Sequence, residues 1–364
     1  MRRCQRLVGH VVAPAGAEPT VDATVAGLAA LPELSRRALE AADCLSVSWP
    51  QVASFADALT LQAIEALSPP PPTADDLAQP PDERAALVLA QMAVNFSYFP
   101  EGGEPRWWVL GGDGSAVGQD DEAHAMTESL LRVWRAELGE GSGFASGEFL
   151  AGLSDAACGE VFAAAPGAGS LPMLPQRAAA LRELGTALAA AGGVRAFVAQ
   201  AGGSAPRFCG LLATACPCFD DIRDGDALGV AEPLRFLKRA QLCAASLNGA
   251  GMEGFTFTDI EALTVFSDYR LPQLFRLRGM LHLSPSLAAA VDGGAALPEG
   301  GDDELAVRAA TIAIGDEIVS RCSERLDGLT AARLDYFLWR SAVEAESAGE
   351  LAEIAFHRTR TTDY

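Results

Sequence analysis

The run TDIEALTVFSDYRLPQ, residues 258–273, decides how this chain is read. Thr258-Asp259-Ile260-Glu261 fits a capping box, in which the Thr hydroxyl satisfies one free backbone amide and the Glu carboxylate another. The helix so begun takes in Leu263, Val265 and Phe266, then meets Asp268-Tyr269-Arg270. Pro272 disfavours helical geometry at Leu271 and is suited to begin a new helix. Asp268 is therefore expected at a junction between two helices, where a side chain can project into a cleft.

The same punctuation extends in both directions. Residues 234–247 (LRFLKRAQLCAASL) read as a helix carrying the Lys238-Arg239 pair, and Ser284-Pro285 repeats the cap-then-proline signal. After Pro175, Leu181, Leu184 and Leu188 share one face and the pattern stops at Gly192-Gly193. Period-two alternation is scarce. The best strand candidates are 93–99 and 107–110, a small sheet or hairpin. Gly111-Gly112-Asp113-Gly114 lacks the Lys-Ser/Thr ending of a phosphate loop and reads as a turn. Loops are expected at 68–72, 139–143, 166–175 and 292–303, and none separates regions of different composition. The fold class expected is mainly α, a single helical domain with a small β element. Near the end, LDYFLW (334–339) sets Asp335 among apolar residues, with Trp339 one turn later on the same face. A carboxylate there is either a surface charge or a buried, partnered one.

Hydrophobic residues make up 49% of the 364 and charged residues 21%, ample for a core. With 27 basic against 48 acidic residues the net charge is −21. Phosphate-rich nucleic acid would meet net repulsion, so a small anionic ligand is favoured over direct nucleic-acid binding. The eight cysteines form no CxxC, and the four histidines have no metal-ligand spacing, so neither metal nor cofactor is expected. The cysteines read as buried, reduced thiols in a cytoplasmic setting. No apolar run is long enough to span a membrane. Arg2, Arg3 and Arg6 precede the first acidic residue, which fits either an organellar transit segment or an ordinary cytosolic start.

LKRAQ (237–241), TVFSDYRLPQ (264–273), LDYFLW and the terminal FHRTR (356–360) occur together in an order and spacing that resemble the queuosine salvage protein family. NFSYF (95–99) and CPCFDD (216–221) resemble weaker segments of that family. The likeness runs from about Phe208 to the last residue and, more sparsely, from Ala42 to Ala191. It divides the chain into a poorly constrained segment 1–41 and a glycosylase-type domain 42–364.

The resemblance implies a layout related to helix-hairpin-helix DNA glycosylases. It also implies hydrolysis of the N-glycosidic bond of queuosine 5'-phosphate, releasing queuine for salvage into tRNA modification. Such chemistry passes through an oxocarbenium-like state that a nearby carboxylate stabilises. Asp268 matches the family's catalytic Asp, although the position also suits a helix cap. Phe266 matches a residue that packs on the base, with an ordinary core Phe as the competing account. Lys238 offers a point charge to the 5'-phosphate, with Arg239 or Arg270 as helpers; a structural salt bridge from Lys238 to Asp268 or Asp335 is the competing account. Asp335 is assigned to the base edge or to acid catalysis. Tyr269 and Tyr336 are candidates for the ribose hydroxyls or, equally, for the core, and Arg308 for structural support.

The chain departs from the family at Arg340, where relatives often carry an acidic residue, and at Ser246 and Asn248. Residues 111–124 also lack the family's aromatic residues. These departures leave open a non-catalytic descendant, and analogy with the fold relatives leaves open a nucleic-acid glycosylase, which the net charge opposes.

Overall fold

Helix α1 (Val21–Ala41) begins at Thr20, whose hydroxyl accepts from the Ala23 amide at 3.2 Å, and Asp22 sits in its first turn. The computed structural model describes residues 20–69, 79–100, 102–119, 121–138 and 143–364. The arginine-rich start and most of the loops expected at 68–72 and 139–143 lie outside them. Along the chain follow β1 (Leu45–Val47), α2 (Pro81–Ala93), β2 (Val109–Leu110), β3 (Ala116–Val117), α3 (Leu174–Ala191) and α4 (Ala205–Ala215). Then come β4 (Ile222–Arg223), β5 (Leu234–Arg235), α5 (Lys238–Gly249), α6 (Arg270–Leu277), β6 (Leu281–Leu283), α7 (Asp302–Cys322) and α8 (Ala331–Ser347). Further helices, among them Trp49–Ala58 and Glu122–Leu138, fill the connections. The strands form antiparallel pairs only: β1 with β6, β2 with β3, and β4 with β5. The fold is mainly α, as the sequence leads one to expect.

Two apolar cores lie side by side. One gathers Leu89, Leu181, Leu184, Leu188, Phe208 and Leu247; the other gathers Leu271, Phe275, Ile312, Ile314, Leu334 and Leu338. Helix α1 spans both, with Leu28 in the first and Leu31, Leu34 and Ala38 in the second. Helix α7 is buried on nearly every face from Glu304 to Gly315 and packs against α1, α6 and α8. A helix apolar all round belongs in the middle of a protein. At Gly315 a Cβ would lie 2.4 Å from Val265 Cγ2, so the bare backbone admits the 263–267 segment against α7.

Several local signals hold. Helix α3 carries Leu181, Leu184 and Leu188 inward and ends at a left-handed Gly192. Ser284 Oγ accepts from the Leu287 amide and caps the helix Pro285–Asp292. Gly111–Gly114 is the tight turn of the β2–β3 hairpin, closed by Gly111 N–H to Ser115 O at 2.8 Å.

Others are overruled. The capping box starts no helix: Ile260–Ala262 is a single 3₁₀ turn, and 263–267 runs extended. Asp259 is taken instead by the Ala205 amide at 2.6 Å, and Thr258 by the carbonyl of Gly203. Helix α5 starts at Lys238 rather than 234, because Leu234–Arg235 pairs with β4. Residues 93–99 form no strand. Arg177 donates to the carbonyls of Val94 and Phe96, and Arg239 to those of Met92 and Ala93, so guanidinium groups stand where a strand partner would.

Cys44 and Cys218 are half-buried, the other described cysteines are buried, and none of them is in a disulfide. Among the described residues no helix is long and apolar enough to cross a membrane.

Gly315→Ala is expected to lower stability by about 1–3 kcal/mol, because Val265 is itself packed at 1% exposure and has little room to retreat. Denaturant unfolding measures this, and an unchanged midpoint would show that the 263–267 segment yields at no cost.

Candidate active site

The first side of the site is the start of α5. Leu237 takes a left-handed conformation, φ 46°, which costs a residue with a side chain roughly 1–2 kcal/mol. Asp221 holds that turn twice: its carbonyl accepts from Leu237 N–H at 3.2 Å, and its Oδ2 from Lys238 N–H at 3.1 Å. The turn places Lys238 first in the helix with its side chain only 6% exposed. Burial pushes its ammonium below the ordinary lysine value, while Asp268 and Asp335 oppose that shift.

The second side is the extended segment 263–267, which has no strand beside it. Side chains supply the missing partners. Gln241 of α5 accepts from Thr264 N–H at 2.8 Å and donates to Thr264 Oγ1 at 3.0 Å and Phe236 O at 2.8 Å. Asp335 of α8 accepts from Phe266 N–H at 2.7 Å. Val265 enters one core while Leu263 and Phe266 enter the other, so the segment lies along their seam.

Asp268 closes that segment. Its Oδ1 accepts from the amides of Arg270 at 2.8 Å and Leu271 at 3.2 Å, capping α6. The capping role is thus real, yet it occupies one oxygen only; among the described residues Oδ2 accepts no hydrogen bond. Asp335 is 8% exposed. Burial, followed by the charge of Asp268, drives its carboxyl well above the ordinary range; the Phe266 amide and Lys238 oppose this. Of the two readings the sequence left open, Asp335 is the buried, partnered carboxylate.

Lys238, Phe266, Asp268 and Asp335 therefore come together from three separate elements, and Tyr269 joins them. The Tyr269 ring lies 4.8 Å from Phe356 and edge-on to Phe99 at 6.0 Å. Burial raises its hydroxyl, and Asp268 and Glu122 add to that shift while Arg270 opposes it. Arg270 is engaged with Glu346 at 2.9 Å. Tyr336 stands beside Trp339 at 5.7 Å, and the charge that acts on it is Arg340 rather than either carboxylate.

Two expectations are corrected. Among the described residues Lys238 makes no salt bridge; Asp268 and Asp335 act on its ammonium only from beyond direct contact. Arg239 is no phosphate helper. Its guanidinium sits between the Phe96 and Phe219 rings, each 5.0 Å away, and is spent on the carbonyls of Met92, Ala93 and Cys218.

The sequence reading missed Asp221 and Tyr98. Asp221 lies in CPCFDD and Tyr98 in NFSYF, both quoted only as weak family segments. Tyr98 is buried, and its hydroxyl makes no hydrogen bond within the described residues. Glu122, which influences both tyrosines, is ion-paired with Arg106. No sequence signal marked it. Beyond Phe356 lies a cleft of about 290 Å³ lined by Gln273, Glu346, Leu351, Ile354 and Arg358. Among the described residues no cluster of His, Cys, Asp or Glu is placed to hold a metal ion.

The family model described as queuosine salvage protein matches residues 77–364. The chain is also similar to the queuosine 5'-phosphate N-glycosylase/hydrolase of Sphaerobacter thermophilus, at 32% identity over 337 residues, covering 91% of this chain and 96% of that one. Proteins of the same name from Mus musculus and Dictyostelium discoideum are each 30% identical, over 53% and 46% of this chain. The matched parts span 59% and 53% of those two proteins.

Because the folded protein holds Asp335 protonated to higher pH than the unfolded chain does, this group's contribution to stability is full in acid. It is lost as pH rises from the ordinary carboxylate range through the raised value. Asp335→Asn keeps an acceptor for Phe266 N–H and does not titrate. Its stability relative to the parent should therefore rise with pH; Asp335→Ala, which does not titrate either, should follow the same slope but lie about 1–3 kcal/mol below Asp335→Asn at every pH, because it strands that amide. Denaturant titrations across pH check both, and a pH-independent difference for Asp335→Asn would contradict the assignment.

Proposed function

The chain belongs to the queuosine salvage protein family, and from that premise we propose that it hydrolyses queuosine 5'-phosphate to queuine and ribose 5-phosphate. One arrangement supports this most: a buried ammonium and two carboxylates meet at the seam of the cores, and none is spent in a direct ion pair with another. Such groups are costly to keep out of water, and a ligand that is anionic at one end and polar at the other would use them.

Cleavage of the C1'–N bond leaves its electron pair on the base and builds positive charge on C1' and the ring oxygen. Asp268 Oδ2, the oxygen its capping role leaves open, is assigned to that charge. Water adds hydroxide to C1', and a proton must reach the base. The 7-deazaguanine ring has no N7, so the proton goes to another edge, N3 or O6. Asp335, held toward its neutral form, is assigned to the base edge as the donor. Phe266 offers the base an apolar face. Lys238 meets the 5'-phosphate, with Arg270 at its flank, and Tyr269 serves the ribose hydroxyls; Tyr336, turned to Trp339 and Arg340, is left out of that role.

The glycosylase unit is taken as 42–364, with α1 braced against it, in a layout akin to helix-hairpin-helix DNA glycosylases. A net charge of −21 suits a mononucleotide better than tRNA, so no direct nucleic-acid partner is assigned. The free thiols favour a reducing compartment such as the cytoplasm.

Purified protein given queuosine 5'-phosphate, queuosine and guanosine 5'-phosphate should release queuine fastest from the first, followed by chromatography of free base. Asp268→Asn should retain the fold and lower turnover by about 10²–10⁴-fold; near-native turnover would remove Asp268 from the mechanism. Lys238→Ala should raise KM for the phosphorylated substrate about tenfold or more while changing that for queuosine little. In a pH profile of kcat/KM, the parent should lose activity as pH rises through the raised value of Asp335, a limb that Asp335→Asn should lack.

A further inference from the structure

We infer that Asp221 and Arg308 are positioning residues, a buried clamp that sets the distance between the Lys238 turn and the Asp268 segment. The inference rests on the reading above, since it supposes that Lys238 and Asp268 act on the two ends of one nucleotide. Arg308 is fully buried and Asp221 is 2% exposed. They form a bidentate pair: Arg308 Nη1 to Asp221 Oδ1 at 2.8 Å and Nη2 to Oδ2 at 2.6 Å. The same Oδ2 accepts from Lys238 N–H, and the Asp221 carbonyl accepts from Leu237 N–H. On the other side, Ser267, next to Asp268, donates its hydroxyl to the backbone carbonyl of Arg308 at 3.1 Å. One residue of α7 thus reaches both halves of the site, through its side chain to Lys238 and through its backbone to Asp268.

The guanidinium has little freedom to move. It lies between the Phe236 ring at 4.0 Å and the Tyr364 ring at 4.5 Å, with Glu304 3.7 Å from its Nε. Tyr364 in turn donates to Glu304 at 2.7 Å. A buried ion pair is a weak source of stability, because desolvation offsets most of its attraction and an apolar pair of similar volume often does as well. A planar fork on a carboxylate fixes geometry in a way that a lysine or an apolar pair cannot. Its place between the two functional segments gives that geometry a purpose.

The test compares the parent with Asp221→Asn, Arg308→Lys and Ser267→Ala on queuosine 5'-phosphate and queuosine, well below each variant's Tm. Asp221→Asn and Arg308→Lys should each raise KM for the phosphorylated substrate about tenfold and for queuosine much less. Ser267→Ala should lower kcat several-fold on both substrates with KM kept. Amide exchange at Leu237 and Lys238 should speed up about tenfold in Asp221→Asn, because its neutral amide holds the turn less tightly. Losses equal for the two substrates and proportional to the fall in Tm would overturn the clamp and leave a merely structural pair. If the parent releases no base from any substrate, the functional reading fails by itself. Exchange then decides the clamp alone, and unchanged protection at Lys238 overturns it. Should Asp221→Asn not fold, Ser267→Ala remains decisive, since an unchanged kcat there would cut Asp268 free of Arg308.

Discussion

An extended segment buried without a strand at its side must find hydrogen-bond partners among side chains, and residues 263–267 live under that constraint. The Thr264 amide goes to Gln241 and the Phe266 amide to Asp335. Each bond draws in a different helix, α5 in one case and α8 in the other. The segment's need for partners is therefore what assembles the site: Gln241 brings Lys238, one turn before it on the same helix, and Asp335 brings its own carboxyl. Leaving either amide unpaired would cost about 1–3 kcal/mol, enough to specify the arrangement strongly.

The same economy of polar groups explains the arginines. Arg177, Arg239 and Arg308 are all buried, but they do different things. Arg177 and Arg239 close the end of α2 by taking its last carbonyls and those just after it, lying against the Phe96 ring at 4.3 and 5.0 Å. Arg308 faces a carboxylate instead. Burial pulls Arg177 down to about 10, which still leaves it cationic at neutral pH. Lys238 differs from all three in that, among the described residues, its ammonium touches neither a carbonyl nor a carboxylate.

Two carboxylates near one ammonium also make an electrostatic division. Asp335 is buried and pushed toward its neutral form, while Asp268 is half-exposed with one oxygen engaged by amides. Different surroundings thus set chemically identical side chains apart, and the roles proposed for them rest on that difference. Against a net charge of −21, a cation held inside the fold such as Lys238 stands out electrostatically.

What the sequence by itself determined is local. Caps and turns depend on residues three or four apart, so Ser284-Pro285, the Gly192 stop of α3 and the Gly111–Gly114 turn were all legible. So was the presence of Lys238, Phe266, Asp268 and Asp335 in family motifs. What only the tertiary structure decided was every case in which a distant partner outbid a local one. Thr258 to Glu261 has all the residues of a capping box, yet Asp259 is drawn to an amide 54 residues away. Residues 93–99 have strand composition, but Arg177, about 80 residues on, takes their carbonyls. Asp335 meets Phe266 across 69 residues, and Arg308 meets Asp221 across 87. Propensity and capping act over one helical turn, whereas burial forces a polar group to pair with whatever the packing places beside it, and sequence spacing carries no record of that neighbour.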